Sequence, residues 1–147
     1  DWGDFQVPGA QCMGDTSVDY AVTVFSGEEG RETAYQEGYQ FNLLPFAVQQ
    51  TDVHQGELPP CRHFIRSNNP KVMMSALKKC EDRDSIILRM YNRTEEVQTV
   101  ALETAFCYND IYMDNLNEER QQKLDGPVLT VGPKKIVTLE FTWEELK

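Results

Sequence analysis

The stretch Val72-Met73-Met74-Ser75-Ala76-Leu77-Lys78-Lys79-Cys80-Glu81-Asp82-Arg83-Asp84-Ser85-Ile86-Ile87-Leu88-Arg89-Met90-Tyr91-Asn92 decides the fold. Val72, Met74 and Ala76 alternate with Met73, Ser75 and Leu77, and Ile86, Leu88 and Met90 alternate with Ile87, Arg89 and Tyr91. Glu81-Asp82-Arg83-Asp84 supplies a charged turn between the two runs. Successive side chains of a strand point to opposite faces, so two alternating runs joined by a short polar turn predict an antiparallel hairpin.

The same pattern continues on both sides of the hairpin. Residues 96–107 place Val100, Leu102 and Phe106 on one face and Val97, Thr99, Ala101 and Glu103 on the other. Gly126-Pro127 and Gly132-Pro133 bracket a short strand over 128–131, and a last strand sets Val137, Leu139 and Phe141 inward against Thr138 and Glu140 outward. Upstream, residues 18–25 alternate in the manner of a strand, and 39–48 form an apolar run that Pro45 confines to an edge, a bulge or two shorter strands. Residues 51–61, with Gly56, Pro59 and Pro60, read as an exposed connection, and the polar segment 115–123 as a loop or helical turn. Short strands, turn chemistry between them and no long segment of helical period predict an all-β, antiparallel β-sandwich formed by residues 1–147 as one domain.

A chain of 147 residues is long enough to bury roughly 70% of its unfolded surface without metals or disulfides. Its net charge of −10, with dispersed basic residues, excludes the counterion-displacing basic patch that nucleic-acid binding requires. No apolar run approaches the roughly 20 residues of a membrane span, and no basic-then-apolar leader opens the sequence. Asp1-Trp2-Gly3-Asp4-Phe5 reads as domain sequence, as expected of a segment of a longer polypeptide. Cys12, Cys61, Cys80 and Cys107 are too widely spaced for a zinc ribbon, and reduced thiols are expected.

The carboxylates Asp15, Asp19, Glu57, Glu81, Asp82, Asp84 and Asp110 include no spacing that singles out an acid/base pair for glycoside hydrolysis. Asp52-Val53-His54 places two potential ligands on one side of an extended segment, but His63 is the only other imidazole, and no metal site is assigned. Gly-x-Ser-x-Gly elbows and phosphate loops are absent. Asn92-Arg93-Thr94 matches a glycosylation triplet, although an Asn that closes the preceding strand explains it as well. Trp2, Tyr35, Tyr39, Tyr108, Tyr112 and Trp143 are candidates for sugar-stacking platforms, but core packing or domain contact fits most of them better.

Gly56-Glu57-Leu58-Pro59-Pro60, the Val72 to Asp82 run and Ile86-Ile87-Leu88-Arg89-Met90-Tyr91-Asn92 together resemble the carboxy-terminal region of family 38 α-mannosidases. Leu129-Thr130-Val131-Gly132-Pro133 and Ile136-Val137-Thr138-Leu139 resemble that family's closing strands, while Pro8-Gly9-Ala10-Gln11-Cys12 and Tyr20-Ala21-Val22 resemble its bacterial members. Phe25-Ser26-Gly27 departs from the family, which carries a His after the Tyr20 strand.

The resemblance implies an accessory domain of a retaining exo-α-mannosidase acting on terminal α-mannosides, of mannosylglycerate or oligosaccharide type. It implies that zinc and the carboxylate nucleophile belong to a catalytic domain outside this chain, so no residue here is assigned a catalytic or metal role. The partners implied are that catalytic domain and the α-mannoside at a shared cleft, in a parent able to form homo-oligomers in the bacterial cytoplasm. Trp2, Gln11 and Cys12, in the non-alternating opening segment, are the candidates for interdomain or cleft contact. An autonomous carbohydrate-binding module and an immunoglobulin-like interaction domain are the competing expectations.

Overall fold

The computed structural model describes residues 8–143. The chain forms two compact units, Asp1–Val48 and Gln49–Lys147.

In the first unit a 3-10 turn, Pro8–Gln11, precedes a helix, α1, over Gly27–Asn42. Ser26 has the extended backbone of an N-cap residue, and Glu28 and Glu29 sit in the first turn, where negative charge favours a helix start. Arg31 pairs with Glu28 at 3.8 Å, and Leu43 N–H closes the far end on the Tyr39 carbonyl at 3.1 Å. The helix corrects the expectation that no long helical segment exists. Gly27, Gly30 and Gly38 weaken its helical pattern, and apolar Tyr39 and Phe41, which are continuous in sequence with the apolar run that follows, belong to its last turn. Residues 18–25 and 43–48 are not strands, because among the described residues neither has a neighbouring strand to complete it.

The second unit holds the sandwich. Its strands are β1 (Ile65–Ser67), β2 (Val72–Lys79), β3 (Ile86–Asn92), β4 (Gln98–Thr104), β5 (Asp110–Asp114), β6 (Arg120–Leu124), β7 (Val128–Val131) and β8 (Ile136–Thr142). They form a three-stranded sheet, β1-β4-β7, and a five-stranded sheet, β2-β3-β8-β5-β6, in which every neighbour pair is antiparallel. The expected all-β antiparallel sandwich is therefore present, with β8 as the central strand of the larger sheet.

Alternation fills the space between the sheets. Val100 and Leu102 of β4 and Leu129 and Val131 of β7 meet Leu88 and Met90 of β3, Ile111 of β5 and Leu139 and Phe141 of β8, all buried. Phe106 and Tyr108 pack edge-on against the Phe141 ring, with centroids 5.8 and 5.3 Å away, which is a favoured aromatic geometry. The β2–β3 hairpin stands where the sequence puts it, but a bulge between Met74 and Ala76 shifts its phase. Ala76 then pairs with Arg89 and Leu77 with Leu88, so Leu77 joins the face of Val72 and Met74 instead of opposing it.

Asn92 ends β3 and is 1% exposed. Its Nδ2 donates to the carbonyls of Glu96, Val131 and Gly132 at 2.6, 3.2 and 2.9 Å, and its Oδ1 accepts from Thr94 N and Thr94 Oγ1 at 2.9 and 2.8 Å. The Asn-Arg-Thr triplet is thus a turn lock that ties the larger sheet to the smaller one.

Candidate functional site

The outer face of the five-stranded sheet departs from the polar, wet surface that the sequence predicts. On β8, Glu140 lies in register between Ile87 of β3 and Tyr112 of β5, and it is 0% exposed. Thr138, also expected outward, is 2% exposed. Both residues do leave the core face, but the β2–β3 and β5–β6 turns supply the groups that cover this side of the sheet.

A bare carboxylate in this position would be very costly, so its partners decide whether it can exist. Glu140 Oε1 accepts from Ser85 Oγ at 2.5 Å, Arg83 Nε at 2.8 Å and Arg120 Nη2 at 3.1 Å; Oε2 accepts from Arg120 Nε at 2.6 Å and Arg83 Nη2 at 3.2 Å. Two guanidinium forks thus close on one carboxylate, the geometry in which arginine binds best. Arg120 also lies over the Tyr112 ring, 4.3 Å from its centroid, and Arg83 donates to the Glu118 carbonyl.

Asp114 of β5 is the second carboxyl group here, held only through Oδ2 by Arg83 Nη2 at 3.4 Å, while its buried Oδ1 has no hydrogen-bond partner. Around the edge, Lys78 bridges Glu118, at 2.7 Å, and Glu81, and the Glu118 carboxylate accepts from the Glu81 backbone N–H at 2.9 Å. Lys123 pairs with Asp110 at 2.6 Å.

The two central carboxyl groups have opposite proton affinities. Burial alone would raise the Glu140 pKa, but hydrogen bonds from Arg120, Arg83 and Ser85 outweigh it and hold the group down to about 2. For Asp114, burial and then the neighbouring Glu140 charge outweigh Arg83 and push the pKa up to about 6. Split carboxyl pKa values occur in glycosidase acid/base pairs. Here, however, both side chains are 0% exposed, and the lower one is saturated by arginine, so neither can meet a sugar. The cluster is a clamp that fixes two turns to the sheet.

The residues singled out by the sequence do not converge. Asp15, Asp19, Asp52, His54, Glu57, His63, Asp82 and Asp84 are exposed, and among the described residues no group of three or more His, Cys, Asp or Glu could hold a metal ion. Tyr108 packs in the core and Tyr112 lies under Arg120 on the outer face, so these rings share no platform. Trp2 lies outside the described residues; Gln11 ends the 3-10 turn, and Cys12 is exposed with a left-handed φ of 46°. Glu140, Asp114, Arg83, Arg120 and Ser85 went unrecognised in the sequence as a site. The available signal was Ile87, an apolar residue on a face otherwise read as wet.

A sandwich of three and five antiparallel strands, whose larger sheet carries a buried ionic clamp, defines an antiparallel β-sandwich domain. Residues 71–139 match the family described as glycosyl hydrolases family 38 C-terminal beta sandwich domain. The chain is also 27% identical over 143 residues to a protein of Halalkalibacterium halodurans named "Putative mannosylglycerate hydrolase". That similarity covers 96% of this chain but 16% of the relative, so the chain spans under a fifth of the relative's length.

Proposed function

We propose that this chain is the accessory carboxy-terminal domain of a longer retaining exo-α-mannosidase that hydrolyses terminal α-mannosides, with mannosylglycerate-type compounds as the first substrate class. The family match over residues 71–139 carries this reading. The printed name of the relative supports the substrate class.

In this reading the domain braces a catalytic domain that lies outside the chain, and zinc and the catalytic carboxylates belong there. Among the described residues no group of three or more His, Cys, Asp or Glu could hold the ion. A clamped, rigid outer face suits a brace, since a docking surface costs less to order when its turns are already fixed. Trp2, Gln11 and Cys12 are the contacts this reading assigns toward the catalytic domain. The four free cysteines, three of them exposed, support a reducing compartment such as the bacterial cytoplasm.

The test is hydrolysis of an aryl α-mannoside and of mannosylglycerate by the full-length gene product and by this chain alone, each with and without added zinc. Activity confined to the full-length protein is the expected result. Activity of the isolated chain would overturn the accessory role, and inactivity of both would transfer the reading to a binding or interaction module.

A further inference from the structure

Residues 18–25 have the alternation of a strand and nothing to lie beside. Val18, Tyr20, Val22 and Val24 are 77, 86, 82 and 94% exposed. Among the described residues, no backbone hydrogen bond ties this stretch to another segment.

The alternate residues of this stretch are exposed too, but some of them meet α1 within the same unit. Thr23 Oγ1 donates to Glu37 Oε2 of α1 at 2.8 Å, and a Cβ on Gly30 would sit 3.1 Å from that of Phe25. Ala21 and Thr23 line a cleft of about 730 Å³ with α1. Beyond α1, Leu44, Phe46 and Val48 repeat the period-two pattern at 83, 92 and 66% exposure. Ala21, Thr23 and Phe25 therefore have neighbours in α1, and Val18 and Tyr20 line a second cleft with Phe41, Asn42 and Leu44, while the apolar row stays exposed beside peptide groups with no backbone partner among the described residues. Such an edge is stable only when another strand covers it.

Three observations select the occupant. The period of the apolar residues is two, which fits a sheet edge; a helical groove would instead ask for apolar residues three and four apart. Residues 8–48 carry six carboxylates, Asp15, Asp19, Glu28, Glu29, Glu32 and Glu37, against Arg31 alone, so two copies of this surface repel. The relative extends far beyond the part aligned with this chain, which covers 16% of it.

We propose that residues 18–25 form a strand added to an open sheet edge in the remainder of the longer hydrolase, one with an apolar face and a basic rim. The proposal rests on the reading of this chain as part of that hydrolase. It also implies that the first unit is completed by residues outside this chain.

Amide hydrogen exchange of the full-length protein tests this, read beside the isolated chain. Peptides covering residues 18–25 are expected to exchange on the order of 100-fold more slowly in the full-length protein, at every protein concentration. Val22→Pro, which removes a donor and cannot sit inside a sheet, is expected to abolish that protection while β3 stays protected. Unprotected exchange in the full-length protein would overturn the proposal, as would concentration-dependent protection in the isolated chain, which would make a second copy the partner. Mannoside hydrolysis is assayed on the same sample. Protection without hydrolysis keeps the added strand and removes the mannosidase reading, and hydrolysis without protection does the reverse.

Discussion

Glu140 on the central strand and Arg120 on the edge strand are joined by two hydrogen bonds, of 2.6 and 3.1 Å, that reach across β5 between them. The pair links the middle of the larger sheet to its rim, and Arg83 brings the β2–β3 turn to the same carboxylate at 2.8 Å.

Removing the carboxylate leaves two guanidinium groups facing each other. Glu140→Ala is expected to destabilise the chain by about 3 kcal/mol, the low end for a broken buried pair, because Arg83 and Arg120 remain 33 and 40% exposed. Replacing Glu140, Arg83 and Arg120 together by Leu or Met should cost less than Glu140→Ala alone. Urea unfolding of the single and triple variants measures both; a triple variant worse than the single one would mean that the clamp stabilises in its own right.

The same cluster gives the stability a dependence on pH with two opposed limbs. Asp114 has its folded pKa raised from 3.8 to about 6, so its contribution is fully present below 3.8 and is lost as pH rises through 6. Glu140 has its folded pKa lowered from 4.5 to about 2, so its contribution is present above 4.5 and is lost as pH falls toward 2. These two groups together favour a maximum between pH 4 and 5. Asp114→Asn should flatten the upper limb, raising stability at pH 8 relative to the native chain and leaving it nearly unchanged at pH 4. Denaturation midpoints across that range decide the point.

At Asn92 the direction of the amide matters. Asn92→Ala should cost about 2–4 kcal/mol, because buried carbonyls and an N–H lose their partners. Asn92→Asp should cost more, since a carboxylate would then face the carbonyls of Glu96, Val131 and Gly132. Thermal unfolding of the two variants gives the order, and an Asp variant no worse than Ala would remove this account of the turn.

Phe141→Ala should cost about 3–5 kcal/mol through the cavity left beside Phe106 and Tyr108, whereas Leu77→Ala, at a site 54% exposed, should cost under about 1 kcal/mol. Equal losses at the two positions in a denaturant titration would mean that Leu77 is covered in solution.

What local chemistry wrote into the chain was legible. The hairpin of β2 and β3, the short β7 and the inward row Val137, Leu139 and Phe141 each follow from alternation and turn residues within a few positions, and the motifs of these strands carry the resemblance to family 38. β5 and β6 were not legible: Asp110, Tyr112 and Asp114 alternate with only two apolar residues, and the outermost strand, Arg120–Leu124, is almost wholly polar. Such an edge strand has no apolar row to announce it.

Alternation and turn chemistry act over neighbouring residues, so the antiparallel sandwich, its central hairpin and the resemblance to the family 38 carboxy-terminal region could be read from the chain alone. It took the packed sheets to bury Glu140, to bulge Ser75 so that Leu77 comes onto the face of Leu88, and to leave residues 18–25 without a partner strand among the described residues. Burial of a charge depends on donors 20 and 57 residues away, and pairing of a strand depends on whether another strand exists to receive it.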